Sequence, residues 1–195
     1  MKSIYVFLII SLPITFSSCG DKLNNNKAEK LIRESVTFPQ TNDVEIEYGL
    51  VSYEQDSLPK YYYILEKEGM FKIENLGSGG LFVISNRFRV TPTPEGRKFI
   101  VEEDKNPTAQ GNTGEFMYNS RFKTCEVEFT KVESIQEIPA YNSAEISYVV
   151  ERKNFTPFWK YYLGKTKKMP DTIQNRQFAV IKTNEGWQPA KKPKH

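Results

Sequence analysis

Four stretches of this chain alternate apolar and polar residues with a period of two, and that pattern limits the fold more than any other feature. Val44, Ile46, Tyr48 and Leu50 alternate with Glu45, Glu47 and Gly49; Phe82, Ile84, Phe88 and Val90 share one parity while Arg87 and Arg89 share the other. Cys125, Val127 and Phe129 alternate with Glu126 and Glu128, and Ala144, Ile146, Tyr148 and Val150 again face one way. Successive side chains of a strand point to opposite faces, so each stretch predicts a half-buried strand with one wet side. Met70, Phe71 and Ile73 run into Leu76-Gly77-Ser78-Gly79-Gly80 and on to Phe82, the pattern of a long β-hairpin. A last hairpin is expected around Asn184-Glu185-Gly186, between Phe178, Val180 and Ile181 on one side and Trp187 on the other.

Helical signals gather in the first half. Asn26-Lys27-Ala28-Glu29 has the form of a capping box, and Ala28, Leu31, Ile32 and Ser35 then recur at helical spacing until Phe38-Pro39 stops them. A second helix is predicted from Asp56 or Ser57, with Pro59 in its first turn, Leu58, Tyr62 and Leu65 as apolar residues, and Gly69 as its end. Thr93-Pro94-Glu95-Gly96 can cap one further turn. The expected class is α+β: short N-terminal helices with a β-hairpin, followed by a C-terminal antiparallel sheet. Pro107, Gly111 and Gly114 lie among polar residues in segment 106–114 and mark a boundary. The expected division is a helix-rich α+β lobe with the hairpin over 27–105, an antiparallel β lobe over 115–187, and a basic tail over 188–195.

Composition narrows function by exclusion. With 27 Lys+Arg against 24 Asp+Glu the net charge is +3, short of the single-sign excess of a dedicated nucleic-acid binder. The single histidine is His195, the last residue, which removes histidine triads and His-rich zinc sites. No cofactor motif and no metal set is read. Gly77-Ser78-Gly79-Gly80 lacks the Lys-Ser/Thr of a P-loop and joins two apolar strands, as a turn does. Glu102-Glu103-Asp104, and Glu126 with Glu128, are the paired acids; carboxylates two apart on a strand form its wet face.

The N-terminus supplies an address. Lys2 precedes an apolar run over residues 4–16, broken only by Ser11, Pro13 and Thr15 and followed by Ser17 and Ser18. This is the layout of a secretory signal, too short for a hydrocarbon core that requires about 20 apolar residues. Phe16-Ser17-Ser18-Cys19 resembles the lipobox of bacterial lipoproteins, with Phe16 where that family usually carries Leu. The resemblance covers about the first 20 residues and implies a signal peptide over 1–18, a diacylglycerol on the thiol of Cys19, and a lipidated polar tether over 19–26. Gly20, rather than Asp, follows the cysteine, which by the same resemblance points to the outer membrane, on its periplasmic or its exterior side. Lipidation of Cys19 leaves Cys125 as the only thiol, so no intramolecular disulfide forms, and its alternation with Val127 and Phe129 reads as a core position.

Segment 57–96 is similar to a winged-helix pattern, in which a helix closing at a glycine is followed by a β-wing and a Thr-x-x-Gly step, here around Val90-Thr91-Pro92-Thr93-Pro94-Glu95-Gly96. One helix precedes the wing instead of two. It balances Lys60 and Lys67 against Glu66 and Glu68, so it cannot hold phosphates, and no nucleic-acid partner is expected.

Two aromatic groups remain. Tyr61-Tyr62-Tyr63 on one helix spans about 200° of arc, so the three rings cannot all face one core. Residues 155–162 add Phe158, Trp159, Tyr161 and Tyr162. Rings with polar tips can pack a helix–sheet junction or serve as contact surface for glycans, peptides or headgroups. Tyr61, Tyr63, Phe158, Trp159, Tyr161 and Tyr162 are the candidate interaction surface. Lys165, Lys167 and Lys168, with Lys191, Lys192 and Lys194, can face solvent or anionic headgroups. The reading is a lipid-anchored envelope protein without catalytic residues, acting as a binding or interaction module toward another envelope protein or a glycan. The alternatives are an envelope hydrolase with a carboxylate or Ser/Lys site that the linear sequence hides, and an assembly subunit whose aromatic surface is an oligomer interface.

Overall fold

The computed structural model describes residues 22–54, 57–78, 85–110 and 114–190. The strands are β1 (Gln40–Tyr53), β2 (Phe71–Ser78), β3 (Asn86–Pro92), β4 (Ile100–Glu102), β5 (Thr108–Ala109), β6 (Phe116–Ile138), β7 (Ser143–Lys153), β8 (Ile173–Thr183) and β9 (Gly186–Pro189). They form a single sheet in the order β2-β3-β1-β6-β7-β8-β9, with β4 and β5 also paired to β6, and every pairing is antiparallel. The helices are α1 (Asn25–Ser35), α2 (Lys60–Lys67), α3 (Pro94–Arg97) and α4 (Pro157–Thr166). The α+β expectation is therefore corrected: among the described residues the chain is dominated by one nine-stranded sheet, its helices are short, and one of them lies in the second half. The signal segment, Cys19, Asp56, residues 79–84, Gly111 and residues 191–195 lie outside the described residues.

The physical reason for the correction is in β6, whose 23 residues form the spine of the sheet. Its register shifts three times, leaving Thr124, Thr130 and Glu133 unpaired as single-residue bulges. Each bulge resets the alternation. The residues that share the core face are consequently Phe122, then Cys125, Val127 and Phe129, then Val132, then Ile135. They stand opposite Val44 and Asn42 of β1 and then Arg152, Val150, Tyr148 and Ile146 of β7. Only the middle stretch keeps a period of two.

In β1 a glycine changes the backbone without a shift of register. Gly49 takes φ +89°, and a Cβ there would lie 2.2 Å from the Phe116 carbonyl oxygen. The step from Tyr48 to Val51 across this glycine keeps both residues in one core. Below it β3 no longer pairs, and the freed carbonyls of Glu45 and Glu47 accept from Lys165 Nζ and the Tyr62 hydroxyl, each at 3.1 Å.

Both core clusters lie on this one face. Ala28 and Ile32 of α1 cover Val127, Phe129, Ile146, Tyr148 and Val150, while Tyr62 and Leu65 of α2 and Phe158 and Tyr161 of α4 cover Val44, Ile46, Phe71, Phe88 and Phe122. The other face is wet and charged, with Lys153 bridging Glu128 and Glu151, which is the division expected of an antiparallel sheet with helices on one side. Helix α1 is capped by Asn24, whose side chain accepts from Lys27 N at 2.9 Å, two residues before the expected cap. Thr93 caps α3 at the expected position, accepting from Gly96 N at 3.1 Å. Helices α2 and α4 touch where Gly164 faces Tyr61, close enough that a Cβ on the glycine would meet Tyr61 Cβ at 2.9 Å.

Candidate functional site

Helix α4 is built by its sequence to bring aromatic rings to two sides at once. Thr156 precedes Pro157, whose fixed φ suits the first helical position, and Lys167 ends the helix in a left-handed turn at φ +53°. Thr156 also ties the start of the helix to β6: its amide donates to Thr124 O at 2.9 Å and its hydroxyl to Lys123 O at 2.5 Å. With the helix fixed there, Phe158 and Tyr161 point into the core, 0% and 1% exposed. Phe158 stacks on Phe122, and Tyr161 meets Tyr62 edge-on at 5.5 Å.

The rings one residue removed are less deeply buried, and Tyr162 still packs against the core cluster. Trp159 stacks on Tyr162 with centroids 5.3 Å apart and 20° between planes, and Phe155 leans on Trp159 at 5.0 Å. Phe155 is 46% exposed, and Trp159 and Tyr162 are half-buried, so the three form a ladder along the outer side of α4. Of the six aromatic residues singled out from the sequence, Trp159 and Tyr162 belong to this ladder and Phe158 and Tyr161 are core. Tyr61 is half-buried against Tyr161 at 4.9 Å, and Tyr63 is 37% exposed on α2. The tyrosine triplet thus divides as its arc requires, with Tyr62 buried between its neighbours. Burial pushes the phenols of Tyr62 and Tyr161 well above their ordinary range, and that of Tyr61 upward too.

Arg152 holds the inner side of the ladder. It occupies a core-facing position of β7, is 7% exposed, and its guanidinium carbon lies 5.7 Å from the Trp159 ring. Its charge meets oxygen acceptors rather than a carboxylate. One terminal nitrogen donates to the Asp171 carbonyl, and the Gln174 amide, turned with its oxygen inward, accepts from both at 3.2 and 3.0 Å. Its Nε is buried without a partner. The Cys125 thiol lies beside it, fully buried; burial pushes its pKa up, partly offset by a hydrogen bond from Thr124 and the Arg152 charge. Sequence inspection passed over Arg152, although it continues the even parity of Ala144, Ile146, Tyr148 and Val150 and so announces a buried cation.

The acids meet in a different place. A trough of about 790 Å³ beside β1, β4 and β6 is lined by Asp43, Glu45, Glu102, Glu103, Asp104 and Arg121, and Lys165 reaches it from the end of α4. Arg121 spans it, pairing with both oxygens of Asp43 at 2.9 and 2.7 Å and with Glu102 at 2.9 Å. The Asp104 oxygens accept from the amides of Asn106 at 2.8 Å and Asn119 at 2.9 Å. Asp43 and Glu102 are committed as acceptors in a clamp through Arg121 that joins β1, β4 and β6. Among the described residues no three His, Cys, Asp or Glu side chains gather as metal ligands. Glu126 lies apart, held below the usual carboxylate range by hydrogen bonds from Lys123 and Asn154.

Lys165, Lys167 and Lys168 follow at the end of α4, all exposed, with Met169 beyond them at 85% exposure. Comparison of the chain with protein-family models, with characterised proteins and with solved structures found no match.

Proposed function

We propose that this chain is a lipid-anchored protein of the bacterial envelope, held in the outer membrane through Cys19, that works as a non-catalytic binding module. The anchor rests on the lipobox-like Phe16-Ser17-Ser18-Cys19. Two or three acyl chains, at about 0.8 kcal/mol per buried CH₂, hold a protein far more firmly than one. The observation that carries the binding role is the ladder of Phe155, Trp159 and Tyr162, an aromatic surface on the outside of a helix whose inner rings are already satisfied by the core. Such a surface fits an envelope partner, because rings with polar tips give contact area at low cost in conformational entropy.

Membrane fractionation tests the reading. Wild type and Cys19→Ser, expressed with the native N-terminus in a Gram-negative host, are separated into soluble and membrane fractions. After a high-salt wash, which releases contacts held by charge, wild type is expected in the outer-membrane fraction and Cys19→Ser in the wash and soluble fractions. Equal partitioning of the two sinks the anchor.

A further inference from the structure

The ladder is poorly suited to stacking on a sugar. Trp159 already carries Tyr162 stacked at 5.3 Å, Phe155 tilted at 5.0 Å and the Arg152 guanidinium over its ring, so little bare π-face is left. What the ladder offers outward is the exposed Phe155 and the uncovered part of the half-buried Trp159, the mixture that suits the zone between hydrocarbon and water.

Charge points to the same partner. Residues 152–170 contain six basic residues and no acid. Lys153 is neutralised by Glu128 and Glu151, and Lys160 by Glu68. Lys165 turns to the acidic trough, where its Nζ donates to the Glu45 carbonyl oxygen at 3.1 Å. The surplus falls beyond it, on Lys167 and Lys168, which are exposed and form no ion pair among the described residues. An exposed ring at the start of a short helix and unpaired basic side chains at its end match a surface of lipid phosphates.

We infer that the side of α4 bearing the ladder docks on an anionic phospholipid surface, with Phe155, Trp159 and Tyr162 at headgroup level and Lys167 and Lys168 against the phosphates. Met169 supplies an apolar contact at the same edge. The inference names the partner of the surface described above and so rests on that reading. It also has a geometric consequence: α4 lies on the covered face of the sheet, so docking turns the wet face, with Glu128 and Glu151, away from the bilayer.

Vesicle binding by residues 19–195 carrying Cys19→Ser, which contain the whole described fold and no acyl chain, tests it apart from the anchor. The readouts are co-sedimentation with vesicles and the tryptophan emission maximum. Trp187 is 7% exposed, so a shift on binding reports Trp159. Binding to vesicles containing phosphatidylglycerol, at least about tenfold above binding to pure phosphatidylcholine and weakening as salt is added, is expected, with a blue shift. Lys167→Gln and Lys168→Gln are each expected to weaken it about fivefold. Phe155→Ser, at an exposed site, is expected to weaken it and shrink the blue shift, while Lys30→Gln on α1 leaves both unchanged. Absence of binding, equal binding to both vesicle types, or an equal loss in Lys30→Gln and Lys167→Gln overturns the inference. The mass of Cys19 is scored separately, so failure of acylation and failure of docking are read independently.

Discussion

Phe122 of β6 and Phe158 of α4 stack with ring centroids 4.7 Å apart and 23° between planes, both fully buried. This pair fixes the helix that carries the exposed ladder to the spine of the sheet. Emptying the site leaves a cavity against Phe71 and Phe99, which also touch Phe158. Phe158→Ala is expected to cost about 3–5 kcal/mol, against about 0.5 kcal/mol or less for Phe155→Ser on the outer side. Urea unfolding midpoints at unchanged slope check the contrast.

Alkaline pH is expected to unfold the protein cooperatively. Burial raises the phenol pKa of Tyr62 and of Tyr161 in the folded state, so each contributes stability that is fully present below the unfolded value of about 10. That contribution is lost as pH rises above it, because the unfolded chain releases protons that the folded chain retains. Two such groups give a loss of about 2.7 kcal/mol per pH unit above about pH 10. Tyr161→Phe should shallow the slope by about 1.4 kcal/mol per pH unit, one group's share. Stability against pH, followed by circular dichroism, reads it directly.

At the acid end Glu126 acts with the opposite sign. Its carboxyl is held low by Lys123 and Asn154, so its contribution is present above the ordinary carboxylate range and is lost as pH falls through the folded value. The Lys123–Glu126 pair lies half-buried at the surface and within reach of solvent, so Glu126→Gln is expected to flatten the acid limb only slightly in the same measurement.

Two left-handed glycines are expected to respond unequally to alanine. Gly49 and Gly69 have φ +89° and +73°, but a Cβ on Gly69 meets nothing within 4 Å while one on Gly49 strikes the Phe116 carbonyl oxygen. Gly69→Ala therefore costs only the backbone strain, about 1 kcal/mol, and Gly49→Ala more than about 3 kcal/mol because β1 and β6 must part. Thermal unfolding of the two variants side by side measures the difference.

The Cys125 thiol, fully buried and with its pKa pushed up, is expected to resist a disulfide exchange reagent at pH 8 in the native protein and to react within the mixing time in denaturant. Fast native labelling would show that β6 and β7 open around Arg152.

Much of this architecture was legible where local chemistry decides it. The core faces of β1 and β7 follow from Val44, Ile46 and Tyr48 and from Ala144, Ile146, Tyr148 and Val150, because those runs are regular. The cap of α3 follows from Thr93-Pro94. For α1, Asn24, Asn25 and Asn26 are equally competent caps, and packing of Leu23 and Ala28 selects Asn24. The extent of β6 was hidden, because bulges at Thr124, Thr130 and Glu133 cut its alternation into pieces too short to read as one strand. Helix α4 was hidden for another reason: Phe155, Phe158, Trp159, Tyr161, Tyr162 and Leu163 are apolar all round, so no stripe identifies an inner side. The division into core rings and ladder rings depends on where Thr156 binds β6, a contact between residues more than 30 apart in the chain. Arg121 and its two carboxylate partners likewise come from three separate strands and their approaches.

Intact mass of the protein purified from the envelope of a Gram-negative host tests the central claim most directly. The predicted result is a chain that begins at Cys19, has lost residues 1–18, and carries a diacylglyceryl adduct that Cys19→Ser lacks. A chain cleaved elsewhere, or one beginning at Cys19 without acyl mass, contradicts it.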